Sequence, residues 1–310
     1  MARKYWRRQV ILAKPEATYG VDPAPTGAAN ALLAENIELT PMDSQNEERG
    51  YMTPYFGSKP SMRTFLAQKL AYSVELAGAG AAGDLPGYGP SLRGCGFAAI
   101  QTAGTDVQFS PVSYGQESVA HYMNIDGVRN VLLGARADAE FTFENQKRPL
   151  VRFTYTSLWQ APTDTPLTPP TLTGFKKPLI ASKANTTVSL FGWAVPQVQR
   201  ATIRLGNAVT SRFLIGDEEV LITDRKVTGE LVVDATDLAT FNPFLLARDG
   251  TTGPLSIVHG KTSGAIVQFD FPALELQAPT LGQADGIVQW TIPFNALPVA
   301  GDDELKITVK

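Results

Sequence analysis

The chain has few of the residues that most often carry catalysis or hold metals. Among its 310 residues are one cysteine, Cys95, and two histidines, His121 and His259. One cysteine cannot form an intramolecular disulfide, and neither histidine has a second histidine or a cysteine at metal-ligand spacing. A Gly-x-Ser-x-Gly nucleophile motif is also absent. The sequence therefore predicts a protein that is not an enzyme, with no metal site, no cofactor and no catalytic residue.

Strong charge of one sign and long apolar runs are absent as well. The formal net charge is −3, from 27 basic and 30 acidic residues, whereas proteins that capture nucleic acid through its phosphates present a basic surface. No run approaches the roughly 20 apolar residues of a membrane-spanning helix. We therefore expect a chain that is soluble where it is made, with no membrane among its partners.

Long helical periodicity is missing, and strand patterns take its place. Residues 137–144, ADAEFTFE, alternate between apolar and polar side chains, which is the period of a half-buried strand. Residues 150–159, LVRFTYTSLW, predict a second strand after a turn at 145–149. Further strands are predicted at 36–40, 65–76, 187–193, 200–205, 219–223, 227–233, 265–271, 287–292 and 305–309. The fold class is therefore mainly β.

Two short helices, one in each half, suggest an internal duplication. They are predicted within 84–95 and 236–248, the second capped by Thr236 or Asp237. They align without gaps, as Asp84, Leu85, Tyr88, Pro90 and Leu92 match Asp237, Leu238, Phe241, Pro243 and Leu245. A strand precedes each helix, and a Phe-x-Phe strand follows it. In the strand after that, Val151, Phe153 and Tyr155 match Val288, Trp290 and Ile292. This order predicts two tandem β-modules.

Residues 161–170, APTDTPLTPP, mark the boundary between the modules, because four prolines favour an extended connection. We expect an N-terminal assembly arm at 1–35, a first module at 36–160, a proline-rich linker at 161–175 and a second module at 176–310. The sequence GAGAAG at 78–83 matches the Gly-x-Gly-x-x-Gly pattern of dinucleotide sites. Pro86 and Pro90 forbid the long helix that such a site needs, so we interpret it as a flexible glycine loop.

The stretch at 14–33, KPEATYGVDPAPTGAANALL, has no hydrophobic period but carries an aromatic residue, Tyr19. Together with residues 34–41 it resembles the start of the tail tube (major tail) proteins of long, non-contractile-tailed bacteriophages. The matching motifs are Thr18-Tyr19-Gly20, Asp22-Pro23 and the GAANA segment at 27–31. Residues 85–97, LPGYGPSLRGCGF, resemble the short helix of that family. The resemblance covers the first hundred residues most closely.

The resemblance implies tail-tube-type modules of the β-sandwich or barrel kind, which close with copies of the chain into rings. Stacked rings would form the hollow tail tube, through which DNA passes into the host. Its implied partners are further copies of the chain, a tape measure protein, the tail terminator and distal tail proteins, and double-stranded DNA that passes without specific binding. A duplicated chain implies a trimeric ring with pseudo-sixfold symmetry; a hexamer is the alternative. The protein would be found in the virion tail, and in the host cytoplasm during assembly.

Two sets of residues are candidates for roles in such a tube. Acidic side chains expected to face the lumen are Asp138, Glu140, Glu144, Asp270 and Glu275, since a mildly negative wall lets DNA slide. Residues of the arm expected to lie between subunits are Arg3, Lys4, Arg7, Arg8, Tyr19, Gly20, Asp22 and Pro23. The alternative for the first set is a face that meets outer solvent.

Two other functions compete with the tube. The first is a β-sandwich module that binds a carbohydrate or a receptor on a virion or cell surface, which would favour exposed aromatic residues in loops. Trp159, Trp193 and Trp290 instead lie within or beside predicted strands. The second is a hydrolase on a β-scaffold, for which the sequence offers no constellation of residues.

Overall fold

The computed structural model describes residues 3–194 and 196–310 and is mainly β, as the sequence predicts. The elements of the first half are β1 (Gln9–Pro15), β2 (Ala34–Glu48), β3 (Ser61–Glu75), α1 (Gly89–Arg93), β4 (Phe97–Thr102), β5 (Asp106–Pro111), β6 (Val119–Ile125), β7 (Val128–Glu144), β8 (Leu150–Leu158) and β9 (Thr163–Asp164). Those of the second half are β10 (Thr186–Leu190), β11 (Val198–Arg204), β12 (Asn207–Leu214), β13 (Asp217–Arg225), β14 (Thr228–Asp234), α2 (Pro243–Arg248), β15 (Thr252–His259), β16 (Val267–Leu276), β17 (Thr280–Ala284), β18 (Ile287–Ala296) and β19 (Lys306–Val309).

The same order of antiparallel strand pairing occurs in both halves. In the first half neighbouring strands follow the order β1–β6–β7–β8–β3–β2. In the second half the order is β10–β15–β16–β18–β14–β11. The short helix follows β3 in one half and β14 in the other. The repeated topology agrees with the duplication that the helices predict. It does not support the match between the two Phe-x-Phe strands, because Phe141 pairs with Val151, whereas Val288, the counterpart of Val151, pairs with Gln283 and not with Phe269.

The halves differ in three places. The long strand β7 corresponds in order to β16 and β17 together, with residues 277–279 interrupting the second copy. Among the described residues, the β4–β5 hairpin has no counterpart in the second half. The far end of the hairpin that runs from β11 to β14 forms a separate two-stranded sheet of β12 and β13.

Strand pairing and a shared core join the two halves. β11 pairs with β7, and the C-terminal strand β19 pairs with both β16 and β5. Phe141 and Phe143 of β7 meet Phe269 of β16 edge-on, with ring centroids 5.0 and 5.3 Å apart. One cluster of buried apolar side chains therefore runs from one half into the other.

The glycine motif at 78–83 lies at this junction. The amide of Gly80 donates a hydrogen bond of 2.7 Å to the carbonyl oxygen of Gly264. A β-carbon on Gly78 would lie 2.2 Å from the same oxygen. The glycines allow two backbones to meet closely, so the interpretation of a flexible loop missed a packed contact between the halves.

Three local predictions need correction. Residues 9–15, at the start of the expected arm, form β1, because the short apolar run VILA is a strand buried on both faces against β6. Helix α2 begins at Pro243, not after Thr236 or Asp237. Its cap is Asn242, whose side-chain oxygen accepts a hydrogen bond of 3.1 Å from the Leu245 amide. Strand β10 ends at Leu190, because Phe191 and Gly192 both have positive φ.

Candidate functional site

The predicted two-faced character of β7 is confirmed. Ala137, Ala139, Phe141 and Phe143 are almost fully buried, whereas the polar side chains between them are half-exposed. Asp138 accepts a hydrogen bond of 2.9 Å from the amide of Asn207. Burial raises the pKa of the Asp138 carboxyl above its usual range, against the opposing effect of this and other backbone hydrogen bonds. Asp138 is thus tied to the second half of the chain.

The acidic face of β7 is matched by arginines on the strands beside it. Glu140 lies opposite Arg152 of β8 and forms an ion pair of 2.8 Å with Arg204 of β11. Arg152 in turn pairs with Glu38 of β2 at 2.9 Å. This charge ribbon, formed by Glu38, Arg152, Glu140 and Arg204, crosses the sheet from β2 to β11. Glu144 pairs with Lys147 of the following turn at 2.7 Å.

The remaining lumen candidates lie on β16, apart from the charge ribbon. A bulge between Gly253 and Leu255 of the neighbouring strand changes the register, and Asp270 and Glu275 are both half-buried. Asp270 accepts hydrogen bonds from the Ser256 hydroxyl at 2.8 Å and from the Gln268 side-chain amide at 2.8 and 2.9 Å. The structure therefore groups Asp138, Glu140 and Glu144 on β7, and it places the two second-half residues in a different polar setting.

The basic N-terminus leads into β1 and is anchored by Asp126 in the β6–β7 turn. Arg8 forms an ion pair of 2.7 Å with the Asp126 carboxylate, which also accepts the backbone amide of Tyr5 at 2.7 Å. Lys4 donates to the Asp126 carbonyl oxygen at 3.0 Å. Arg3, Arg7, Tyr5 and Trp6 are exposed to solvent.

The Tyr19 segment of the expected arm packs on its own chain. The Tyr19 ring lies so close to Gly134, which has φ +61°, that a β-carbon there would come within 2.6 Å of the ring. Its hydroxyl oxygen accepts a hydrogen bond of 2.6 Å from the Val220 amide in β13, and Arg136 stands over the ring at 5.1 Å. Burial raises the pKa of Tyr19 to about 12. Tyr19 therefore joins β7 to the β12–β13 hairpin.

Sequence reasoning missed Glu16, which organises the turn before Tyr19. Its buried carboxylate accepts hydrogen bonds from the Gly20 amide at 2.8 Å, the Ser118 hydroxyl at 2.6 Å and the Gly134 amide at 2.8 Å. No spacing pattern predicts this role, because two of the three donors, Ser118 and Gly134, come from a distant part of the chain. Gly20 adopts φ +70° at this turn, a conformation that suits glycine.

Asp22 and Pro23 follow the Tyr19 turn and also contact their own chain. The Asp22 carboxylate accepts hydrogen bonds from the Tyr122 hydroxyl and, at 2.8 Å, from the Ala24 amide. The carbonyl oxygen of Pro23 accepts a hydrogen bond of 2.8 Å from Lys14. Within this one chain, each of these arm residues is thus held by β1, β6 or its immediate neighbours.

A comparison with known protein families identifies the kind of protein to which these surfaces belong. In the described parts of the chain, no three or more His, Cys, Asp or Glu residues cluster as metal ligands do, and no helix has the length and apolar character to cross a membrane. The family model described as phage tail tube protein matches residues 6–298. The chain belongs to the phage tail tube protein family. A search of curated proteins returned no match.

Membership of this family confirms the resemblance found in the sequence. This tail tube protein is a structural component of the virion tail, and it assembles with copies of itself and other tail proteins into a tube. The family match does not favour a receptor-binding module. The fold agrees, since large antiparallel sheets with two short helices suit a β-sandwich-type tube subunit.

Proposed function

We propose that three copies of this tail tube protein form one ring with pseudo-sixfold symmetry, and that stacked rings enclose the channel for double-stranded DNA. The observation that supports three copies is the pairing order of six strands, which each chain contains twice. Each chain then supplies two modules, 36–160 with β1 added to it through its pairing with β6, and 176–310, connected through the proline-rich segment 161–175. The subunit acts by assembly and not by catalysis.

The charge ribbon is our candidate for the channel wall. It places Glu140 beside Arg152 and Arg204 on the half-exposed face of one continuous sheet. Paired carboxylates and guanidinium groups leave little net charge to hold phosphates, so DNA slides past such a wall without being retained. Asp138 and Glu144 lie on the same face of β7. Asp270 and Glu275 would supply the corresponding acidic groups in the second module.

The exposed N-terminal residues are our candidates for contact with a neighbouring ring. Arg3, Arg7, Tyr5 and Trp6 point to solvent, and Lys4 and Arg8 fix the segment at Asp126. The Tyr19–Pro23 turn is tied to β1, into which this segment leads, by the hydrogen bond from Lys14 to the Pro23 carbonyl oxygen. A tape measure protein inside the tube, and terminator and distal tail proteins at its ends, complete the proposed set of partners.

Electron microscopy of the purified protein tests this proposal. We expect hollow tubes or stacked rings whose end views show three chains and six similar modules. Rings of six chains would contradict the trimer, and strictly monomeric protein under all salt conditions would contradict tube assembly. Deleting residues 1–8, which leaves β1 intact, should give folded subunits whose rings no longer stack. Normal tubes from that variant would contradict the role of the N-terminal segment.

A further inference from the structure

Two strands form the contact between the two halves of one chain, and we call them the donor strand and the acceptor strand. The donor is β11, whose residues 200–204 pair with residues 140–144 of β7, the acceptor. Through this pairing Ala201 and Ile203 lie beside Phe143 and Phe141, and all four side chains are buried. The donor's far end, the β12–β13 hairpin, is held to β7 by the bonds of Arg136 to Glu219 and Val220.

The first half contains the counterpart of the donor, and its outer edge is free. β2 occupies the place in the pairing order that β11 occupies in the second half. Within the described residues β2 pairs with β3 alone, so the backbone groups of its other edge have no strand partner. Unpaired strand edges favour pairing with another chain. The tip between β2 and β3 also exposes Met52, Tyr55 and Phe56.

The second half contains the counterpart of the acceptor strand, namely β16 and β17 together, and the β17 part is also uncovered. Phe153 pairs with Ala139 in the first half, and its counterpart Trp290 pairs with Leu281 of β17. Ala139 is 1% exposed, whereas Leu281 is 70% exposed. The same contrast holds for Val151, which is fully buried, and its counterpart Val288, which is 51% exposed. Apolar side chains thus face solvent where the first half has cover from its neighbour.

Within the described residues β17 pairs with β18 alone, so its other edge is free as well. We propose that the free edge of β2 in one copy pairs with the free edge of β17 in a second copy, and so repeats the β11–β7 contact between chains. This inference rests on the proposed assembly into rings. The contact is heterologous, because it uses a different strand from each copy, and heterologous contacts continue from chain to chain until a ring closes. The occupant of each edge is therefore another copy of this chain.

The pairing register of the internal contact sets the register of the proposed one. In the first half Tyr155 pairs with Leu70, which pairs with Leu39. In the second half Ile292, the counterpart of Tyr155, pairs with Leu231, which pairs with Ala201. Leu39 is therefore the counterpart of Ala201. Thr40 is thus the counterpart of Thr202. Phe141 pairs with Val151 and Gln283 pairs with Val288, which makes Ala284 the counterpart of Thr142. Because Thr202 lies opposite Thr142, Thr40 of one copy should lie opposite Ala284 of the next.

Disulfide cross-linking tests this register, since the native Cys95 is buried. Tubes of the double variant Thr40→Cys, Ala284→Cys should form disulfides between copies under mild oxidation, ending at a covalent ring. Each single variant should stay uncrosslinked. The matched pair Thr142→Cys, Thr202→Cys should cross-link within one chain and leave its mass unchanged. Ala284→Cys should also be combined with Glu38→Cys and with Met42→Cys. If tubes form but none of these three pairs cross-links, the inference is overturned.

A second variant separates this inference from the proposed function. Leu281→Asp places a charge on the acceptor surface and should raise the concentration needed for assembly at least tenfold, while leaving the unfolding of the subunit unchanged. Ile100→Asp is the control, because Ile100 is also on a strand and is 60% exposed; it should assemble normally. Tubes from Leu281→Asp at the wild-type concentration would overturn the β2–β17 contact. Wild-type protein that never assembles would instead overturn the proposed function.

Discussion

The hairpin β2–β3 and the hairpin that runs from β11 to β14 hold the same place in the two halves, but only the second is covered. β11 has a partner on both edges, and Ala201 and Ile203 are almost fully buried. β2 has a partner on one edge, and most of its side chains are half or fully exposed. The same strand order can thus form without the neighbour, whereas burial of its outer edge requires one. The difference marks the surface on which a tube subunit depends for assembly.

Breaking the shared core beneath the covered hairpin should have the largest effect. Phe141→Ala removes a fully buried ring that meets Phe269 across the two halves, and the cavity should lower the free energy of unfolding by about 3–5 kcal/mol. Because the core is continuous, we expect one cooperative transition in urea, with fluorescence and circular dichroism changing together in unassembled subunits. Phe56→Ala, in the exposed tip of the free hairpin, should stay within about 0.5 kcal/mol. Two separate transitions would show that the halves unfold independently.

The second-largest loss of stability is expected from removing the polar contacts that hold the covered β11–β14 hairpin to β7. Arg136→Met removes the guanidinium that binds Glu219 at 2.9 Å and the Val220 carbonyl oxygen at 2.6 Å. Since Arg136 is buried and its partners lose their donor, the cost should be about 2–3 kcal/mol. Limited proteolysis should then cut the β12–β13 turn at Ile215–Gly216 sooner. Arg152→Met is the control on the free side, where the exposed pair with Glu38 should contribute less than about 1 kcal/mol. Equal costs for the two arginines would contradict the contrast between the hairpins.

The sequence predicts the strands better than it predicts what covers them. Alternation over residues 137–144 locates the inward face of β7, and the matched helices predict the repeat, because both signals are local. Strand β1 escapes this reasoning, since a four-residue apolar run has no period. Glu16 escapes it as well, because two of its three donors, Ser118 and Gly134, lie 102 and 118 residues away in the chain. The arginines of the charge ribbon become visible only when register sets Arg152 opposite Glu140.

The two buried histidines, one in each half, allow the acid sensitivity of the two halves to be compared. His121 lies on β6 and His259 on the corresponding strand of the second half, β15. Burial lowers the pKa of both side chains, that of His121 to about 3. The unfolded chain binds protons near pH 6.5 while the folded chain does not, so stability falls as the pH falls below about 6.5. Between pH 7 and pH 5 the loss from His121 should be about 2 kcal/mol. His121→Phe should flatten this slope in urea unfolding more than His259→Phe. An unchanged slope in both variants would assign the acid sensitivity to carboxylates.

The hydrogen bond of Tyr19 to the covered hairpin should give the smallest effect. Tyr19→Phe keeps the ring on Gly134 but removes the acceptor for the Val220 amide, so unfolding should become easier by about 1 kcal/mol. Because burial raises the pKa of Tyr19 to about 12, the unfolded chain releases the phenol proton first, and stability falls as the pH rises above about 10. The variant should lose part of this alkaline sensitivity, and Tyr114→Phe, at a residue that is 92% exposed, should change neither quantity. Equal unfolding of Tyr19→Phe and wild type at pH 7 would mean that water replaces the hydroxyl, and the tie between the N-terminal turn and β13 would then rest on the packing of the ring alone.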